Sequence, residues 1–180
     1  MIPQPEYKVT TQILWEATIF FALADTLFIL ILSRRIKPDM FRRMKSILRI
    51  TSALFWFIVW MLMCIYFWEP VYHYVFPGWS RWLIPPVYGV GFGLIAWFFW
   101  WLSFRIPGRP LLNFIILGGL LGMITHIWGI TRGLLDKPPM LHGVSPVAAS
   151  VMPVFEFIFY WCLILTVSSF IFRFFNRKKS

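Results

Sequence analysis

The sequence predicts an all-α, polytopic integral membrane protein with five transmembrane helices, its N-terminus outside and its C-terminus in the cytoplasm. Three observations lead there. Five apolar stretches have the length that ~30 Å of hydrocarbon requires, about 20 residues at 1.5 Å each. The composition suits no water-facing surface: 59% of the 180 residues are AVILMFWYC and only 13% are charged, against about 25% charged in soluble domains. The bases, finally, fall on alternate joints, thirteen on one side and four on the other. Aromatic residues at 21% also exclude a disordered chain.

The first span covers Gln12–Leu32. It is too long for a signal-peptide core and lacks a basic region before it, so it is expected to insert and stay. The joint after it carries Arg34, Arg35, Lys37, Arg42, Arg43, Lys45 and Arg49, which the positive-inside rule places in the cytoplasm. The same bases can touch anionic lipid head groups. The second span, Ile47–Trp68, leads to a joint with Pro70 and Pro77. The third, Ile84–Phe104, opens on Pro85 and Pro86, which suit the first turn of a helix. Arg105 and Arg109 follow on the cytoplasmic side. The fourth span is Leu111–Thr131 and the fifth Ala148–Phe172, where Pro153 predicts a kink or a late start. Arg173, Arg177, Lys178 and Lys179 close the tail; Lys8, Arg81, Arg132 and Lys137 are left for the outer side. The chain reads as one transmembrane domain over 1–180, without a β-barrel's ten-residue alternation or a repeat. The +10 charge is therefore a topology signal, and no nucleic-acid partner is expected.

Ionisable groups at mid-membrane cost at least ~2.5–3.5 kcal/mol on insertion scales, so each needs a reason. Glu16, Asp25, His126 and Glu156 fall inside the spans. Glu16 lies about 6 Å, His126 about 8 Å and Glu156 about 12 Å from the outer ends of their helices. These three share the outer third, with Glu69, His73 and His142 as rim candidates at or above that surface. Carboxylate and imidazole together can bind a divalent metal or relay protons. A purely structural account is equally available. Glu16 would sit with Gln12 on a wet interfacial face. His126 would donate to a carbonyl across a helix contact. Glu156 would pair with His126, Arg81 or Arg132. Asp25 is nine residues from Glu16, on the opposite face of the first helix. Arg49 is expected to reach it by snorkelling, with Ser52 and Asn113 at similar depth.

On the fourth span Gly118, Gly122, His126, Gly129 and Gly133 share one face, and Gly89 and Gly93 repeat the pattern on the third. Small residues at four-residue spacing let helices approach closely in lipid, and a ligand groove is the alternative use. Most tryptophans mark interfaces, but Trp56, Trp60 and Trp161 lie too deep for a belt. They pack between helices or line a site for an apolar, flat cofactor such as a quinone, sterol, carotenoid or porphyrin; with one deep imidazole, bis-histidine haem is disfavoured. Cys64 and Cys162 differ too much in depth to bridge.

No phosphate-binding, nucleophile-elbow or zinc-protease motif occurs. The function expected is therefore a non-catalytic membrane subunit of a larger membrane complex in the inner (cytoplasmic) cell membrane. Its partners would be the bilayer and other membrane subunits, and it would bury lipid or an apolar cofactor. Two alternatives stand beside it: a small membrane enzyme or metal protein using Glu16, His126 and Glu156, and a proton-coupled carrier.

Overall fold

The computed structural model describes residues 8–177; Lys178 and Lys179, counted above with the cytoplasmic bases, lie outside the described residues. Its helices are α1 (Thr11–Arg35), α2 (Pro38–Arg43), α3 (Lys45–Tyr66), α4 (Ile84–Ser103), α5 (Pro110–Thr131) and α6 (Pro146–Arg177). Short 3-10 turns at Tyr72–Tyr74, Gly78–Ser80 and Pro139–Leu141 fill the two joints at the α1 N-terminal end. Among the described residues there is no strand, and every helix but α2 is long and apolar enough to cross a membrane.

Local chemistry sets the boundaries. The Thr10 side chain caps α1 by accepting from the Ile13 N–H at 3.2 Å. Arg34 and Arg35 sit in its last turn, where cations complement the helix dipole. Proline occupies the first turn of α2, α4, α5 and α6, where the missing N–H costs nothing. Gly133 takes φ +82 just beyond α5, a conformation that suits glycine and ends the helix. Pro153 does not delay α6, which starts at Pro146 and continues through it, so the late start is not seen. The short helix α2 inside the first basic joint was not anticipated either. Phe41 holds it down: fully buried, it lies 5.6 Å from the Phe104 ring and 5.7 Å from Phe114.

The glycine faces join helices of this same chain. At Gly89 a Cβ would stand 3.0 Å from the Ala53 carbonyl and from the Phe57 Cβ, so α3 and α4 meet almost backbone to backbone. Ser52 ties the pair by donating to the Phe92 carbonyl at 3.1 Å. On α5, Gly118, Gly119 and Gly122 receive Trp161, Ile158 and Phe157 of α6. Gly129 meets only Leu134 of the following loop, so the five-position stripe divides into a packing half and a loop half. The α1 helix runs parallel to α6: Ser145 N–H donates to Thr11 at one end, and Arg173 donates to the Arg35 carbonyl at the other. Helix α6 thus touches α1, α3 and α5 and forms the axis of the bundle. Aliphatic and aromatic side chains fill the end near α2. The opposite end is hollow.

Asp25 is a correction to the sequence reading. It is 3% exposed, yet neither carboxyl oxygen has a hydrogen-bond partner. The expected Arg49 pair does not form, since Arg49 is exposed on α3 while Asp25 faces the α6 side near Cys162. Ser52 is committed to Phe92, and the Asn113 amide donates to the carbonyls of Ser103 and Ile106.

Candidate functional site

A cavity of ≈ 520 Å³ opens at the hollow end, between the α3–α4 pair and the α5–α6 pair. Its walls are overwhelmingly apolar and aromatic. Trp56 and Trp60 come from successive turns of α3, one helical repeat apart and on one face. Trp56 stacks on Phe92 of α4 at 4.0 Å, and Trp60 lies 4.1 Å from the Tyr88 ring. The joint after α3 folds back over the opening, bringing Tyr72 to 5.3 Å from Trp60. Both deep tryptophans of α3 therefore line a cavity, as one of the two sequence readings expected. Trp161 instead packs in the core, 5.1 Å from Phe114.

Glu156 and His126 also line this cavity. Glu156 accepts from the Tyr160 hydroxyl, one turn along α6, at 2.5 Å. It makes no ion pair with His126, Arg81 or Arg132, the three partners anticipated. Arg81 donates to the Cys64 carbonyl at 3.0 Å and lies over Trp82, while Arg132 lies over Trp128. The His126 Nδ1 donates to the Gly122 carbonyl at 2.9 Å, within its own helix rather than across a contact. Because a carbonyl only accepts, that bond places a proton on Nδ1. Burial pushes the Tyr72 phenol above its usual pKa, and the nearby charge of Glu156 adds to the effect.

The expected outer layer is divided by the fold. Glu16 is exposed on α1, bonded by the Gln12 amide at 2.8 Å, and takes no part in the cavity. Glu69 and His73 face each other in the joint after α3, 3.9 Å apart, with the His73 Nδ1 donating to the Glu69 carbonyl. The His142 Nε2 donates to the Asp136 carbonyl at 2.8 Å. Among the described residues, no three His, Cys, Asp or Glu side chains gather as a metal set.

Three tyrosines escaped the sequence reading. Tyr160 was detectable, because a hydroxyl four residues from a Glu inside an apolar helix is its natural partner. Tyr72 and Tyr88 reach the cavity only through the way the α3–α4 joint folds, which no local spacing encodes. The site that results is an aromatic-walled chamber with one carboxyl group, one imidazole and a bonded phenol. No family model, curated protein or solved structure matches the chain.

Proposed function

We propose that the protein is a multi-pass integral membrane protein of the cytoplasmic membrane, N-terminus outside and C-terminus in the cytoplasm. We further propose that it is non-catalytic and holds an apolar ligand in the cavity between α3, α4, α5 and α6. The observation that carries this reading is the cavity itself. The cavity is open at one end, and walls this apolar favour an apolar occupant over water. Its size suits one molecule of lipid or cofactor dimensions.

Two features support insertion and orientation. Large apolar side chains such as Phe20, Leu23, Val87 and Val90 point outward at 62–70% exposure, which water tolerates poorly and lipid favours. The exposed bases Arg34, Arg35, Lys37, Arg42, Arg43, Lys45, Arg105, Arg109 and Arg173 all lie at the end opposite the cavity. The cavity then opens toward the outer leaflet. The same outward faces serve lipid and neighbouring membrane subunits, the partners proposed for a subunit of a larger complex.

The test is gentle extraction followed by mass spectrometry of what co-purifies. One apolar molecule per chain is expected in the natural protein, and it should be lost when Val59→Trp fills the cavity from α3. No bound molecule in the natural protein, or full retention in Val59→Trp, overturns the proposal.

A further inference from the structure

The cavity carries a charge problem that its occupant must solve. Glu156 is half-buried among aromatic rings with one hydrogen bond, from Tyr160, and no ion pair among the described residues. The imidazole in the same lining, His126, spends its Nδ1 proton on the Gly122 carbonyl and makes no ion pair with Glu156. Arg81 and Arg132 are turned onto Trp82 and Trp128, and Lys137 is exposed in the joint after α5. A carboxyl group facing an apolar chamber there has no counter-charge within ion-pair distance. The walls point the same way: Trp56, Trp60, Tyr72, Tyr88, Phe157 and Tyr160 line the chamber together with Glu156. Aromatic faces carry negative quadrupole density and attract cations, more strongly when water is excluded.

We propose that the cavity selects an apolar organic cation, with Glu156 as counter-ion and the surrounding rings as cation-binding faces. The inference rests on the reading of the cavity as a ligand site and names the class of ligand. An anion of similar shape meets like charge at Glu156, and a neutral molecule leaves that carboxylate uncompensated. A cation satisfies the carboxylate and the rings at once.

The experiment uses three probes of closely related shape with the full-length protein in a non-ionic detergent: tetraphenylphosphonium, neutral triphenylphosphine oxide and tetraphenylborate. The expected result is saturable binding of the cation, at least about tenfold tighter than the neutral probe, and no binding of the anion. Glu156→Gln keeps the size of the side chain and should weaken the cation at least about tenfold, the range expected for a charge-assisted contact, while leaving the neutral probe unchanged. Trp60→Leu should weaken the cation about fivefold through loss of one ring face. Equal binding of cation and neutral probe, or cation binding indifferent to Glu156→Gln, overturns the cation class while the cavity reading stands. Binding of none of the three overturns both. The probe series on the unaltered protein decides the class even if a variant folds poorly.

Discussion

Gly118→Ala tests the packing account most directly. Trp161 is fully buried and lies flat over Gly118, enclosed by Phe114 at 5.1 Å, Phe99 at 6.1 Å and Phe92 at 6.4 Å. A Cβ at Gly118 would overlap the indole Cδ1 and stand 2.5 Å from Nε1 and 2.7 Å from Cγ, where ordinary contact begins near 3.4 Å. The ring would have to retreat by about 1.4 Å at Cδ1 (3.4 less 2.0) into a packed core. Overpacking of this kind costs about 1–3 kcal/mol. Replacing a helical glycine returns up to about 1 kcal/mol. The net loss is about 1–2 kcal/mol, or roughly 2–8 °C in melting temperature for a chain of this length. Gly91 on α4 is the control: a Cβ there meets nothing within 4 Å, so Gly91→Ala should raise the melting temperature slightly. Cys64 and Cys162 are both buried, so a thiol-reactive dye reports unfolding without added labels. Trp161→Phe should relieve the clash, and the double variant should recover about 1 kcal/mol relative to the sum of the singles. Equal effects of Gly118→Ala and Gly91→Ala, or strict additivity with Trp161→Phe, would refute the argument.

Asp25→Leu removes two buried carboxyl oxygens that have no partner. It is expected to stabilise by about 1–3 kcal/mol in the same dye assay. A loss of stability comparable to that of Gly118→Ala would show that the carboxyl is needed where it is. For orientation, His142→Cys and Arg105→Cys place exposed thiols in the joints on either side of α5. A membrane-impermeant maleimide should label the first on intact cells and the second only after lysis. The reverse pattern would invert the proposed topology.

How far the sequence could be read depended on the kind of signal. The five long apolar helices were legible because length and hydropathy add up over some twenty residues, and the boundaries erred by only a turn or so. The close contact of Gly89 with Ala53 and of Gly122 with Phe157 followed from small residues at four-residue spacing. Helix α2 was missed because six residues are too short for a periodic signal and its one anchor, Phe41, is recognisable only from the Phe104 and Phe114 rings around it. The candidate site was half legible. Depth along each helix grouped His126 and Glu156, which line one cavity, with Glu16, which does not, since depth says nothing about rotation.

The sequence by itself determined how many long apolar helices the chain makes, where they begin and end, which glycines permit close contact, and at which end the bases accumulate. Those properties are local: they depend on runs of residues and on caps. Only the tertiary structure decided that Glu156 accepts from Tyr160 and shares a chamber with Tyr72, that Glu16 stays outside it, and that Asp25 is buried without a hydrogen-bond partner. The reason is physical. In a water-soluble helix the polar face announces which side turns outward. In helices that are apolar all round that contrast disappears, and rotation is set by shape, by which glycine receives which ring.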